Sequence, residues 1–288
     1  MLLQVLFGGL AVGSIYGLVA LGFAVVFKAT DVFNFAQGMF VACGAYFAIT
    51  ALVVLKLPFG VGVLFIVGAA ALMGVVIHML LIQPLAGRPM LAVIMITIAL
   101  SIVLRALLEM TYGSPGRPLH TPLPSGVFVL GELRISQLHL TAMLVSWACM
   151  AGFGAFFRFT SIGLLMRATA DGHEAAVVSG VNVNVMNRLA WAIGCVLAAI
   201  GGLFLGQLQI VSTELESIGL LALPAVVIGG LQSIPGAVIG GILVGVIEQL
   251  AASYISSKAS DVVIYALLLV ILMVRPWGLF GQRELGRV

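Results

Sequence analysis

Charged residues are scarce in this chain, and their scarcity determines its class. Only 8% of the 288 residues are charged, whereas about 25% is usual for a soluble domain. Hydrophobic residues make up 62%, and they recur in continuous stretches of about 20 residues, the length that crosses a bilayer. Strands of a membrane barrel alternate apolar and polar residues instead. The sequence therefore excludes a soluble domain and predicts an all-α polytopic membrane protein, whose helices satisfy their own backbone hydrogen bonds.

The chain also lacks the side-chain groupings that catalysis or metal binding requires. Its three cysteines fall inside apolar stretches without metal-ligand spacing: Cys43, Cys149 and Cys195. Its four histidines have no second ligand at metal spacing: His78, His120, His139 and His173. No nucleophile elbow and no phosphate-binding loop occurs, and a net charge of +3 does not indicate nucleic-acid binding. We therefore expect no enzymatic activity, no metal site and no ATP site in this chain.

Hydropathy predicts about eight to nine transmembrane helices. They lie near 4–27, 33–55, 59–82, 91–110, 138–157, 188–211, 218–232, 234–252 and 261–280. The segment 218–232 is short, because its length as a helix is about 22 Å against a hydrocarbon core of about 30 Å. It contains Pro224 and ends at Gly229-Gly230. This pattern predicts a half-helix or re-entrant element, with a tilted helix that continues to the interface as the alternative.

The distribution of cations predicts the orientation of the bundle. Alternating crossings bring eight of them to one side: Lys28, Arg88, Arg158, Arg167, Arg188, Arg275, Arg283 and Arg287. Only four lie beyond the spans on the other side: Lys56, Arg117, Arg134 and Lys258. The first side is therefore predicted to be cytoplasmic, with the N-terminus outside and the C-terminus inside. The predicted orientation agrees with the cations near the C-terminus only if 218–252 crosses the membrane twice.

Two polar loops interrupt the apolar pattern. The loop at about 158–187 is predicted to be cytoplasmic, and the proline-rich loop at about 111–137 is predicted to be extracytoplasmic. The four prolines of the second loop exclude one continuous helix. This loop either docks or covers another component, or it is a passive connector.

Glycines repeat every four residues in several of the predicted helices. Gly9, Gly13 and Gly17 form one such series, and Gly241 with Gly245 forms another. Small residues on one stripe allow helix backbones to approach closely in lipid, so these series predict tight helix packing.

Uncharged polar residues lie within or beside the predicted spans. Asn34 and Gln37 precede the second span's main apolar run, and Gln207 lies near the end of 188–211. Such amides either line a translocation path or bond neighbouring helices. Arg105 and Glu109 are four residues apart and are candidates for an ion pair. No carboxylate is predicted near the bilayer midplane, which argues against ion-coupled transport.

The 158–187 loop contains a predicted short helix with defined ends. Asp171 and Glu174 have the spacing of a capping box, with Asp171 as the N-cap residue and Glu174 at N3. Ala175 and Ala176 continue the turn, and Gly180 is placed to end it. Ahead of this helix, the apolar strip from Gly163 to Met166 ends at Arg167. A short helix of this kind fits a groove on a soluble partner.

The loop residues Glu174, Ala175, Ala176 and Gly180 match the Glu-Ala-Ala-x3-Gly signature of ABC-importer membrane subunits. The wider chain resembles the branched-chain amino acid permeases of LivH type. Phe33–Gly38 is similar to that family's Asn-Phe-Ala-His-Gly segment, and Val227–Ala237 is similar to its Gly-Gly-x-Gly-Ser-Ile-Pro-Gly-Ala segment. Arg275–Gly281 resembles its C-terminal Pro-x-Gly-Leu-Phe-Gly.

The sequence departs from the family pattern at three of these positions. Gln37 replaces a usual histidine, Gln232 replaces a glycine, and His173 replaces a common proline. The first change bears on substrate choice if its segment lines the path. None of the three argues against the architecture.

The resemblance implies that residues 1–288 form a single permease domain of an ABC importer in the bacterial inner membrane. It implies a second, LivM-type permease subunit, two cytoplasmic ATPases that bind ATP and Mg, and an extracytoplasmic solute-binding protein. The expected substrates are branched-chain amino acids or related solutes such as other amino acids, amides, urea or aromatic acids. A stand-alone secondary transporter or channel is the alternative.

Overall fold

The computed structural model describes residues 2–123, 126–130, 133–256 and 259–281, apart from the side chains of Leu130, Leu133, His173 and Glu174. Within these ranges, seven helices are long and apolar enough to cross a membrane. Two shorter apolar helical segments, Leu215–Gly229 and Ser260–Val274, complete the set. The prediction of a polytopic, all-helical membrane protein is confirmed.

Four helices precede the proline-rich loop. They are α1 (Leu2–Thr30), α2 (Gln37–Ala48), α3 (Phe59–Ile77) and α4 (Met90–Tyr112). Two of them continue into wider π-helical turns, Ile49–Val54 after α2 and His78–Ile82 after α3. The segment Gln83–Leu85 then forms a single 3₁₀ turn.

The remaining helices follow the polar loops. They are α5 (Gln137–Phe159), α6 (Ser161–Asp171), α7 (His173–Val178), α8 (Val183–Leu208), α9 (Leu215–Leu220), α10 (Ala222–Gly229), α11 (Ile234–Tyr254) and α12 (Ser260–Val274). The helices α1 and α8 are largely buried, whereas α3, α4 and α5 have wide exposed apolar faces. The core of the bundle therefore surrounds α1 and α8.

Glycine stripes bring α1 and α11 into direct backbone contact. The two helices are antiparallel, because Gly9 faces Val246 while Gly17 faces Val238. Between these points, a Cβ atom on Gly245 would meet the backbone of Gly13. The repeated glycines thus allow a helix separation that side chains would prevent, as small residues do in lipid.

The two ends of the bundle can be identified from their residues. At the first, termed the Thr30 end, the end of α1 and the start of α4 line one cavity. Lys28, Phe157 and Ile234 line a second cavity at the same end. The opposite end, termed the Tyr112 end, is about 33 Å away along the 23 residues of α4.

The loop after α4 contains a β-hairpin that the sequence did not predict. Strands β1 (Val127–Leu130) and β2 (Leu133–Ser136) pair antiparallel, with Val127 opposite Ser136. Elsewhere in the loop, Arg117 pairs with Val211, with N–O distances of 2.8 and 2.9 Å. The loop therefore packs on the connection between α8 and α9 at the Tyr112 end.

The short segment near 218–232 belongs to an interrupted crossing made of two short helices, which agrees with the prediction of a half-helix, and it does not return to the end from which it enters. Its first helix, α9, begins beside the Tyr112 half of α4, where Thr213 bonds Glu109. Its last residues lie at the Thr30 end, where the amide of Leu279 donates to the carbonyl of Ile228 at 2.8 Å. The chain then returns through α11, so 215–254 crosses the bundle twice.

Candidate functional site

A sharp corner between α5 and α6 positions the loop that carries the Glu-Ala-Ala signature. Thr160 caps α6, because its side chain accepts a hydrogen bond from the amide of Gly163 at 3.0 Å. Gly163 allows this close turn, since a Cβ atom there would lie 2.5 Å from two carbonyl oxygens of α5. The guanidinium of Arg167 donates to the carbonyl of Phe157 and lies 5.5 Å from its ring centroid. These contacts fix α6 to the end of α5.

The helix α6 is also anchored in the core of the bundle. Met166 is 2% exposed and belongs to a cluster contributed by α1, α5, α6 and α8. The other buried members are Leu18, Leu21, Val25, Phe153, Met186, Ala190 and Leu197. Because protein interiors are close-packed, a displacement of α6 would be transmitted through these contacts to α1, α5 and α8.

The predicted N-cap of the next short helix is wrong. Asp171 is the last residue of α6, and the cap position of α7 belongs to Gly172, which makes no side-chain hydrogen bond. The helical pattern of α6 continues further than the sequence argument assumed, and it uses Asp171 before the chain breaks. The backbone of Glu174 is helical, but its side chain lies outside the described residues.

Gly180 follows the end of α7 in the left-handed conformation that glycine favours. Its φ is +81°, and its amide donates to the carbonyl of Val177 at 3.0 Å. The next amide, of Val181, donates to the carbonyl of Ala176 at 3.0 Å. These two bonds form a Schellman motif. A side chain at position 180 would strain this turn.

The helices α6 and α7 expose several apolar side chains. Val178 is 89% exposed and Val177 is 56% exposed, whereas Ala176 is buried against the bundle. Leu164 and Ile162 on α6 are exposed as well. We call the exposed side chains of Ile162, Leu164, Val177 and Val178 the elbow surface.

The predicted path residues Asn34 and Gln37 lie inside the bundle. They are 0% and 1% exposed, and Asn34 Nδ2 donates to Gln37 Oε1 at 3.0 Å. Gln37 Nε2 lies 3.4 Å from the carbonyl oxygens of both Val19 and Gly194. These bonds join α2 to α1 and α8, which matches the alternative role of bonding neighbouring helices. Their role in a path stays a prediction.

Gln207, the third predicted path residue, occupies the last turn of α8. It is half-buried, and its Oε1 atom is buried without a hydrogen-bond partner among the described residues. The structure does not bring it into contact with Asn34 or Gln37. Its role in a path likewise stays a prediction.

A polar stripe along α4 was missed by the sequence argument. Its members recur every four residues: Thr97, Ser101, Arg105 and Glu109. Thr97 Oγ1 contacts the backbone of Phe33 and Phe35, both at 3.3 Å. The stripe therefore faces the segment that begins α2 and the start of α9.

Glu216 on α9 accepts hydrogen bonds from the middle of this stripe. Its carboxylate accepts from Ser101 and forms an ion pair with Arg105. Arg105 does not pair with Glu109, which instead accepts from Thr213 at 3.1 Å. Ser101 lies halfway along α4, so Glu216 is a buried carboxylate at central depth. The expectation that no such carboxylate exists is wrong.

Within the described ranges, no group of three or more histidine, cysteine, aspartate or glutamate side chains could hold a metal ion. The candidate site combines three features. These are the α5–α6 corner, which is packed against the bundle, the exposed elbow surface, and the polar stripe along α4.

The sequence matches known transport components along nearly its whole length. A family model described as "Branched-chain amino acid transport system / permease component" matches residues 5–272. The high-affinity branched-chain amino acid transport system permease protein LivH of Salmonella typhimurium is 32% identical over 302 residues, covering 99% of this chain and 97% of the relative. BraD, the corresponding permease protein of Pseudomonas aeruginosa, is 32% identical over 301 residues, covering 99% and 98%. A probable LivH of Methanocaldococcus jannaschii is 26% identical, covering 96% and 92%.

Proposed function

This chain belongs to the family of branched-chain amino acid transport permease components, and we propose that it is the membrane-spanning subunit of an ABC importer. In this proposal it translocates branched-chain amino acids or a related small polar or amphipathic solute. The energy comes from ATP hydrolysis in partner subunits, which bind the ATP and Mg. The chain itself supplies the path and the contact through which that energy enters.

In this proposal the Thr30 end and the elbow surface lie in the cytoplasm, and the N-terminus lies outside. The two crossings between residues 215 and 254 support this orientation, because the cation asymmetry requires them. Lys28, Arg158 and Arg167 then lie at the cytoplasmic end. The hairpin loop after α4 lies outside, where a solute-binding protein would deliver substrate.

The observation that carries the proposal is the elbow surface on an anchored corner. Val178 on α7 is 89% exposed, whereas Met166, twelve residues earlier on α6, is buried in the bundle. In the proposed orientation these apolar side chains lie in the cytoplasm, where exposed apolar side chains are typical of protein-binding surfaces. An ATPase bound at Val177 and Val178 would move α6, and Met166 would pass that motion to α1, α5 and α8.

The proposed assembly contains a second, LivM-type permease subunit, two ATPases and an extracytoplasmic solute-binding protein. Exposed apolar faces on α3, α4 and α5 offer surfaces for the second permease subunit or for lipid. Alternating access would then follow from helix groups that rock about a central path.

A stand-alone ion-coupled transporter is the competing function, and Glu216 is the observation that favours it. Buried carboxylates at bilayer depth mark ion and proton pathways in many transporters. In this chain, however, Glu216 is compensated by Arg105 and Ser101. These contacts support a structural role for the Glu216 carboxylate, in addition to the role in ion coupling that the competing function would give it.

Co-purification of the ATPase subunits tests the proposal directly. Val178→Asp introduces a charge at the tip of the elbow surface, and we expect it to abolish ATPase retention while the membrane domain stays folded. Val127→Asp is the matched control, since Val127 is 54% exposed on the hairpin at the opposite end. Equal ATPase retention by both variants would contradict docking at the elbow surface.

A further inference from the structure

A cavity of about 390 Å³ opens at the Thr30 end, apart from the elbow surface and the α4 stripe. It lies among the end of α1, the π turn after α3, the start of α4 and the first turn of α8. Its size is within the range of small-molecule sites in proteins. The cavity is large enough for a single small solute.

Buried polar atoms without partners line this cavity. His78 is 2% exposed, and its Nδ1 atom has no hydrogen-bond partner in the described part of the chain. The Oδ1 atom of Asn187, on the facing turn of α8, is also buried and unbonded. Unsatisfied buried polar groups destabilise a fold, so two of them beside one cavity indicate a polar occupant.

A third unpartnered group lies near His78, although its residue, Trp191, does not line the cavity. The Nε1 atom of Trp191 is buried without a partner in the same described ranges, and its ring centroid is 6.5 Å from that of His78. An indole nitrogen only donates hydrogen bonds, whereas an amide oxygen only accepts them. Asn187 therefore presents an acceptor to an occupant of the cavity, and a ring nitrogen of His78 can present a donor.

The backbone holds these groups in fixed positions. The π turn begins at His78, and such turns are frequent at functional sites because they redirect side chains. One turn earlier, Gly74 brings α3 against α8, since a Cβ atom there would lie 2.5 Å from the carbonyl oxygen of Trp191. The segment that carries His78 is therefore packed closely against α8.

Apolar side chains also line the cavity. Phe33, Ile82, Val93 and Ile94 line it, and the charged residues Asp31 and Arg88 also contribute to the lining. A second cation, Arg188, lies next to the cavity and donates to Gln83 at 2.9 Å. An occupant must therefore combine charged or polar groups of both signs with an apolar portion.

We propose that this cavity binds an α-amino acid with an apolar side chain, such as leucine. Its carboxylate accepts a hydrogen bond from His78, and its ammonium group donates to Asn187. Its side chain packs against Phe33 and Val93. The inference rests on the proposed function, which brings the transported solute to this end of the bundle and makes the cavity a cytoplasmic-side substrate site.

Binding of radiolabelled leucine tests the site in the full complex, reconstituted in lipid nanodiscs without ATP or solute-binding protein. We expect His78→Phe and Asn187→Leu each to weaken binding about tenfold, the effect of one lost hydrogen bond to a ligand. The control His120→Phe makes the same change, and Gln4→Leu makes a similar amide-to-leucine change, both at exposed positions; both should bind leucine as the unmodified protein does. Leucinamide and 4-methylpentanoate, which lack one charged group each, should compete weakly.

A photoreactive leucine analogue provides a second measurement that needs no variant. In the unmodified complex it should label the peptides that contain Phe33 or Val93. Unchanged binding in both cavity variants, or labelling elsewhere alone, would overturn the proposal. If phosphatidylglycerol displaces leucine, the cavity binds a lipid headgroup. If leucine does not bind at all, only water occupies the cavity. Either result would also overturn the proposal. Loss of ATPase subunits from the unmodified complex would instead contradict the proposed function, so the two failures are distinguishable.

Discussion

The guanidinium of Arg105 donates from both Nε and Nη2 to one carboxylate oxygen of Glu216, which joins α4 to α9. The other carboxylate oxygen accepts from Ser101, one turn away on α4. An ion pair at this depth is costly to break, because the remaining charge would be left in surroundings of low dielectric.

Removal of either partner of this pair should destabilise the fold. Arg105→Ala and Glu216→Ala are each expected to lower the free energy of unfolding by about 2 kcal/mol, below the value for fully buried pairs because the Arg105 side chain is 44% exposed. The double variant should lose much less than the sum of the two. Chemical denaturation in detergent measures this, with Arg134→Ala on the hairpin as control. Additive losses would show that the pair does not act as a unit.

The contact between α1 and α11 predicts a sharp difference between two glycines. Gly241→Ala places a methyl group against the backbone of Gly17, and we expect a loss of about 2 kcal/mol from overpacking. Gly8→Ala places the same group in open space and should leave the melting temperature unchanged. Equal melting temperatures for the two variants would contradict the close approach of these helices.

The turn after α7 can be tested in the same way. Gly180→Ala puts an alanine at a φ of +81°, which costs about 1 kcal/mol and should loosen the end of α7. Gly172→Ala, in extended backbone on the other side of α7, should be tolerated. Hydrogen exchange of the amides of Gly180 and Val181 reports the change. Faster exchange in the Gly172 variant alone would contradict the Schellman motif.

The predicted path role of Asn34 and Gln37 requires that they become accessible during transport. In a variant without the native cysteines, Asn34→Cys and Gln37→Cys should react with a small thiol reagent in a substrate-sensitive way once ATP turnover begins. Ala36→Cys, which is equally buried between them, is expected to stay unreactive throughout. If both path positions are inert in every nucleotide state, the amides only bond neighbouring helices.

Hydropathy was sufficient to predict the helical bundle, because continuous apolar stretches leave the backbone no other way to satisfy its hydrogen bonds in lipid. The glycine repeats likewise predicted the tight helix packing. Asp171 was misassigned because capping patterns depend on where the preceding helix ends, and the residues at the end of α6 do not indicate that point.

Glu216 could not be found from local sequence. It follows a predicted span and precedes a short one, so it resembles a residue of an exposed connection. Its burial arises from contacts with Ser101 and Arg105, more than a hundred residues earlier in the chain. A four-residue repeat of polar side chains along α4 is the signal that could have revealed its partner helix.

ATP dependence of solute uptake tests the central claim most directly. The chain is reconstituted in proteoliposomes with its partner permease subunit, with or without the ATPases, and leucine uptake from a solute-binding protein is measured. We predict uptake only when the ATPases and ATP are present, and its loss in the Val178→Asp variant but not in the Val127→Asp control. Uptake without ATPases, driven by an ion gradient and abolished by Glu216→Gln, would contradict the account and identify a stand-alone transporter.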